Sequence, residues 1–385
     1  MQQFLPSEYE YLVGSRFIMF NGSKLKTDYI INIMHEFILR YDTEEVADQN
    51  ISSVIMRNKY GKLYNVYLEY LLSVKFLYMV SNYYVKKKTR TYKLNVDKIH
   101  SRMRVDITDK ILLKKHSREW LTKTLADMFE SPIQDVTKND LIDDLYSINI
   151  NYKRACQWLE QQYASGEMDL QKYTKNLHSV NCINSGHLFY KFDSFGRLHT
   201  NFTVIKKYIR LNFLDIDGKE LVELDIKNSQ PFFLGVLINR ENPSIKNVDD
   251  VKYFFETVNN GLLYDLFLDK YPDVFVDRNQ TKVMIYRVLF GRNNKTIEND
   301  IFCETFPTVY KFIKEYKSAN GNYKTLSHEL QRLESEFVFG KVVRMVKDKF
   351  PAVKLFTVHD SIIYPLEYKE EVNIIFRNVF REYLE

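Results

Sequence analysis

Cysteine is scarce in this chain. Only Cys156, Cys182 and Cys303 occur among 385 residues. Their spacing fits neither a zinc site nor a disulfide framework, so reduced thiols in a cytoplasmic protein are the expectation. Long apolar runs are also missing. The stretch Pro231 to Ile238 falls far short of the roughly 20 residues that a membrane helix needs. Glu8 and Glu10 stand where an export signal would be basic and then apolar, so no membrane or export segment is expected. Nor is there a large excess of charge of either sign. With 55 basic and 50 acidic residues the net charge is +5, so a chain that handled polyanions would have to gather its cations into a channel. Internal repeats, low-complexity tracts, a Walker G-x-x-x-x-G-K-[ST] loop and a G-x-S-x-G elbow are all absent.

What is present points to a globular protein. Apolar residues make up 45% of the chain, enough to exclude wholesale disorder. The length allows two or three subdomains with substantial cores. The 28 Tyr and 27 Phe suit base stacking, although an A+T-rich coding sequence enriches the same residues.

Up to about residue 185 the spacing reads as mostly helical, with amphipathic stretches at 29–41, 64–80 and 119–180, the last including Trp120 and Trp158. Two basic runs lie in this region. Lys86, Lys87, Lys88, Arg90 and Lys93 are interleaved with Tyr83, Tyr84 and Tyr92, and Arg102, Arg104, Lys110, Lys114, Lys115 and Arg118 follow. Such runs form solvated faces or track phosphates. Near residue 186 the character changes. His187–Phe192, Leu221–Ile226, Leu355–Val358 and Ser361–Tyr364 read as strands, separated by long helical insertions between about 233 and 300 and between 326 and 347. An amphipathic helix closes the chain from Glu367. This order predicts an α+β core with a helical insert.

Arg278, Lys282, Tyr286 and Phe290 recur at steps of four, followed by Gly291. That spacing sets two cations and two rings along one side of a helix, suited to a triphosphate and its base. An ordinary amphipathic helix with core aromatics and solvated cations has the same pattern. Two carboxylates flank the stripe in sequence. Asp225 ends an apolar strand, and Asp360 sits between two strands in Thr357-Val-His359-Asp360-Ser361. Brought together they would hold a pair of magnesium ions; kept apart they would be strand caps or salt-bridged groups. His359-Asp360-Ser361 cannot form a hydrolytic triad locally, because neighbouring strand side chains point to opposite faces.

The order of these motifs resembles motifs A, B and C of the family A polymerases, a superfamily that includes bacterial DNA polymerase I and the phage-type single-subunit RNA polymerases. The family's motif B reads R-x3-K-x3-[F/Y/M]-x3-Y-G, matched here with Phe290 in place of the last Tyr. Val358-His359-Asp360-Ser361 resembles the V-H-D-S of the RNA enzymes more than the V-H-D-E of the DNA enzymes. Gly196-Arg197-Leu198 resembles the T-G-R-L of the DNA enzymes, and Asp193-x-x-Gly196-Arg197 the D-x-x-G-R of the RNA enzymes. The helix with Gln331 is similar to the segment whose glutamine contacts the primer–template duplex. The resemblance covers roughly residues 186–385.

It implies a right-hand fold: an antiparallel palm over 186–385, helical fingers inserted at about 233–300, and a thumb-like or nucleic-acid-binding region over 1–185. It implies a template-dependent nucleotidyltransferase using NTP or dNTP, a template and a primer or nascent strand. Asp225 and Asp360 would ligate two magnesium ions, or manganese in their place. Lys282 would sit on the triphosphate and protonate the leaving pyrophosphate, and Arg278 would grip the β- and γ-phosphates. Tyr286 and Phe290 would pack on the nucleotide and the templating position, and Gly291 would let the template approach. Gln230 falls at the substrate's sugar, Arg197 and Gln331 at the duplex, and His359 at the primer terminus.

The departures bear on the sugar. Motif A of the DNA enzymes carries a Glu five residues after its Asp that closes the space for a 2′-OH; here Gln230 holds that position and Ser229 precedes it, as in the RNA enzymes. Phe290 pulls the other way, since it lacks the Tyr hydroxyl that recognises a ribonucleotide. DNA synthesis is the first expectation, on the T-G-R-L-like element and Phe290. RNA synthesis, including priming, is the close alternative, and a non-catalytic nucleic-acid-binding replication protein is the rival from another class. The acidic pair Asp42-x-Glu44 lacks the remaining sites of a proofreading exonuclease. Small size and a missing exonuclease suggest a phage, plasmid or mobile-element replication role.

Overall fold

A computed structural model describes residues 2–41, 49–81, 90–115, 137–319 and 322–384. Asp42-x-Glu44, Tyr83, Tyr84, Lys86, Lys87, Lys88, Arg118 and Trp120 lie outside the described residues. The architecture is mixed helix and strand with small antiparallel sheets, an α+β arrangement. Among the described residues no helix is long and apolar enough to cross a membrane. The chain divides into two compact units: Met1–Phe129 with Ile150–Phe189 and Val204–Phe213, and Glu130–Asn149 with Tyr190–Thr203 and Leu214–Glu385.

In the first unit, β1 (Gln2–Pro6) pairs antiparallel with β2 (Arg102–Asp106). Between them runs α1 (Thr27–Arg40), whose Ile30, Ile31, Ile33, Met34, Phe37 and Ile38 are all buried. Their spacing makes one broad apolar face, and Tyr29, Asn32 and His35 are buried on the other sides, as expected of a helix packed all round. Asn21 and Gly22, both at positive φ, turn a hairpin between Phe17–Phe20 and Ser23–Lys26. The stretch expected to be mostly helical carries, among the described residues, seven strands between Gln2 and Asp106. The 64–80 segment is a helix only over Tyr64–Ser73 and continues as the strand Leu77–Ser81. Two later helices, α2 (Tyr152–Ala164) and α3 (Leu170–Asn184), start at Asn151 and Asp169, whose side chains accept from backbone N–H groups three residues on. Arg102 donates to Gln171 at 3.1 Å and Thr174 at 2.7 Å, and Arg104 donates to Glu160 at 2.7 Å and Tyr173 at 2.8 Å. These two cations of the second basic run serve the unit's own packing.

The second unit centres on a three-stranded antiparallel sheet. β3 (Leu221–Asp225) and β4 (Phe356–Val358) flank β5 (Ser361–Pro365) on either side. Every residue of β5 is buried, as its central place demands. The register pairs Leu221 with Pro365 and Asp225 with Ser361. Three helices carry site residues: α4 (Ser229–Glu241), α5 (Arg278–Phe290) and α6 (Thr325–Ser335). A π-helical stretch, Glu336–Val343, continues directly from α6. Phe232 and Phe233 of α4 meet Phe337 of this stretch, and Phe376 and Phe380 of the closing helix Lys369–Leu384 complete the aromatic core. The strand expected over His187–Phe192 is realised at Tyr190–Phe192.

Candidate active site

The loop joining β4 to β5 is two residues long, His359-Asp360. His359 takes φ 53°, a left-handed conformation, and is exposed at the tip. Because Asp225 pairs with Ser361, the last residue of β3 and the loop carboxylate Asp360 stand at the same end of the sheet. Asp225 is exposed. Burial pushes the Asp360 carboxyl above its ordinary value, against the opposing pull of the Ser229 hydroxyl, His359 and Arg197.

Arg197 reaches this corner from a turn whose letters have a local cause. The Asp193 carboxylate accepts from the backbone N–H groups of Phe195 at 2.9 Å and Arg197 at 3.0 Å, and Gly196 adopts φ 87°. A side-chain oxygen closing its own turn and a glycine in the left-handed region are what a D-x-x-G-R sequence supplies. The same carboxylate meets His199 Nε2 at 3.0 Å, and the His199 ring lies 5.8 Å from that of His359. Burial raises the Asp193 carboxyl, but His199 and the two N–H donors outweigh it and hold it below its usual range.

The guanidinium of Arg197 pairs with Glu334 at 2.7 Å. Glu334 is 2% exposed and also accepts from the Ser229 hydroxyl at 3.1 Å and from Gln230 Nε2. Burial, then the neighbouring Asp360 charge, push its carboxyl up to about 7, while Arg197 and Ser229 pull it down. Two acidic groups thus share one cation. Glu334 is a site residue that sequence reasoning missed; its only signal was a position three residues after Gln331 on one helix face. Gln331 itself is half-buried on α6.

α5 begins where Asp277 accepts from the Gln280 N–H at 2.8 Å. Its buried face is Thr281, Met284, Ile285, Val288 and Leu289. The stripe of four lies to one side of that face: Arg278 and Lys282 are exposed, Tyr286 and Phe290 half-buried. Arg278 pairs with Asp265 at 3.1 Å and lies 5.1 Å over the Tyr264 ring. Lys282 sits 5.5 Å over Tyr286, whose ring is 5.4 Å from that of Phe290. Burial raises the Tyr286 phenol and Asp360 raises it further, which places the stripe within electrostatic reach of the loop carboxylate.

Gly291 ends α5 for an intramolecular reason. A Cβ there would stand 2.5 Å from the Arg287 carbonyl oxygen. Lys317, 3% exposed, donates to the carbonyls of Val288 at 2.6 Å and Gly291 at 2.8 Å, and burial depresses its ammonium to about 8. It is a C-terminal cap delivered from another helix.

The structure therefore brings Asp225, Asp360, Arg197, Gln230, Tyr286 and His359 to one region of the second unit, with Arg278 and Lys282 further along the stripe. Carboxylate oxygens are the hard donors that magnesium takes. Among the described residues no three His, Cys, Asp or Glu side chains form a metal-ligand cluster; Asp225 and Asp360 are two carboxylates at one end of the sheet. A pair of carboxylates, with the other positions left to water and phosphate, fits magnesium.

No family profile and no curated protein matches the chain. Among solved structures it is similar to the POL domain of Pol1 from M. smegmatis in complex with DNA primer-template and dNTP. The identity is 12%, the match covers 59% of this chain and 53% of that one, and the TM-score is 0.29. The chain thus spans about half the length of that structure. A match this loose leaves the functional reading to the residues themselves.

Proposed function

We propose that the chain is a template-dependent nucleotidyltransferase that extends a 3′-OH with a nucleoside triphosphate. The observation that carries this reading is the meeting of Asp225 and Asp360 at one end of the sheet, with the Arg278–Phe290 stripe close enough for Asp360 to act on Tyr286. Asp225 and Asp360 are the residues that would hold magnesium, which supplies neutralisation of phosphate charge when bound. Arg278 binds the outer phosphates through its planar fork, giving up Asp265 to do so. Lys282 holds the proton that the leaving pyrophosphate takes up. Tyr286 and Phe290 orient the base by stacking. Arg197, steered by Glu334, and Gln331 face the duplex near the growing end.

DNA synthesis is the first reading, because Phe290 offers no hydroxyl to a ribose. RNA synthesis is the second, favoured by Gln230 at the position where a glutamate would exclude the 2′-OH. Incubation with primed or unprimed template, magnesium and either dNTPs or NTPs separates the two. Asp225→Asn and Asp360→Asn should each lower incorporation by roughly a hundred- to a thousandfold, on the order expected when charge stabilisation at the reacting phosphate is removed, while leaving nucleic-acid binding unchanged. Normal synthesis by either variant, or binding without synthesis by the wild type under every condition, would overturn the assignment.

A further inference from the structure

The first unit carries an aromatic stack that none of the chemistry above uses. Trp158 of α2 lies on Tyr208, with ring centroids 4.7 Å apart and planes 14° from parallel. Phe213 braces both from beneath, 5.7 Å from Tyr208 and 6.5 Å from Trp158, and is itself buried. Tyr208 is 49% exposed and Trp158 partly so. A large indole and a phenol held face to face at a surface, over a buried third ring, form a rigid aromatic ledge partly open to solvent.

The charge around the ledge says what fits. Arg154 is exposed and lies 5.5 Å over the Phe213 ring. Lys206 and Lys207, both exposed, immediately precede Tyr208. Among the described residues neither Arg154 nor Lys206 forms an ion pair. Residues 150–159 and 201–213 carry no Asp or Glu, and Glu160, further along α2, is already held by Arg104 at 2.7 Å. In a chain whose acids nearly equal its bases, this is local segregation of charge rather than a general excess. Cations beside flat rings match a single strand, which offers phosphates at intervals and unpaired bases with free faces. A duplex hides those faces, and an acidic peptide offers none.

We infer that the Trp158–Tyr208 ledge, with Arg154 and Lys206, is a stacking platform for single-stranded nucleic acid. Bases stack on the aromatic pair while the cations follow the phosphates. The platform reads neither base identity nor sugar, because no buried hydrogen-bonding group takes part. It rests on the proposed function only in the kind of ligand, and it would hold template or product strand outside the nucleotide site.

Trp158 reports on its own occupancy. The chain has two tryptophans, so Trp120→Phe leaves Trp158 as the single indole. Titration of this variant with a dT oligonucleotide, without nucleotides, should quench its fluorescence and saturate. Tyr208→Ala should weaken binding by roughly tenfold, the loss of one stacked base. Tyr208→Phe should restore it, which separates stacking from folding. Lys206→Gln should lower the slope of log affinity against log salt by roughly 0.7, the share of one phosphate contact. Absence of quenching in a protein that still incorporates nucleotides would overturn the platform alone. So would equal affinities for the Ala and Phe variants. Quenching in a protein that never incorporates nucleotides would overturn the proposed function and leave the platform standing.

Discussion

Replacing Glu334 by glutamine should make the metal-free protein more stable at pH 8, even though it removes one half of an ion pair. The carboxyl is held at about 7 rather than 4.5, a value that already includes the attraction of Arg197. Between those two pH values the folded chain holds a proton that the unfolded chain has released. Stability therefore falls as pH rises from about 4.5 to about 7 and is flat above, and this one group costs ~3 kcal/mol at pH 8. Glutamine carries no charge to desolvate. It accepts with one oxygen only, so one of the bonds from Ser229 or Gln230 is lost, at about 1 kcal/mol. The balance favours the variant by ~2 kcal/mol at pH 8, a rise of roughly 4–8 °C in melting temperature, and the advantage should vanish near pH 5. Thermal unfolding of both proteins in a chelator at pH 5 and pH 8 measures it, and titrating groups that do not interact with Glu334 cancel in the comparison. A variant that melts below the wild type at pH 8, or a difference equal at both pH values, would refute the buried-charge argument. Incorporation should fall in the same variant, because Arg197 and Gln230 lose the carboxylate that orients them.

Phe290→Tyr should move the ratio of NTP to dNTP incorporation toward NTP by about fivefold, the worth of one hydrogen bond; an unchanged ratio in single-nucleotide assays would mean that this ring does not read the sugar. Gly291→Ala should destabilise the protein by roughly 1–3 kcal/mol, because the new Cβ meets a backbone oxygen rather than a movable side chain; a urea titration with an unshifted midpoint would contradict this. Arg278→Lys should leave the melting curve within about 0.5 kcal/mol, as expected of an exposed position, yet raise the apparent KM for the nucleotide several-fold through loss of the planar fork; an unchanged KM would remove Arg278 from the phosphate site.

Much of the second unit could be read from local pattern. The two carboxylate segments are short apolar runs bounded by turns, and they fold as the strands Leu221–Asp225 and Ser361–Pro365. The stripe helix begins at Asp277 and stops at Gly291, both marked by residue type. Glu334 was hidden because a glutamate among Gln331 and Arg332 looks like part of a solvated face; only tertiary packing buries it beside Ser229. The strands of the first unit are three to five residues long, too short for alternation to outweigh helical spacing in a wider window. Arg102 and Arg104 sat in a run of cations, while their partners Gln171, Thr174, Glu160 and Tyr173 lie more than fifty residues away in sequence. Nothing local announces such pairing.

The capping of α5 by Lys317 has a mechanical consequence. The amine ties the last turn of α5 to the helix Pro307–Ala319, and Asn293 adds bonds to Lys314 and Ser318 of the same helix at 3.1 Å each. Arg287 reaches Glu298 at 2.7 Å. Stitched at that end by three neighbours, α5 is stiff where Phe290 stands. Its Arg278 end is held by an exposed ion pair, the weaker kind of tether. Any swing of this helix would therefore pivot about the aromatic end and sweep Arg278 and Lys282 through the larger arc while Phe290 stays almost still.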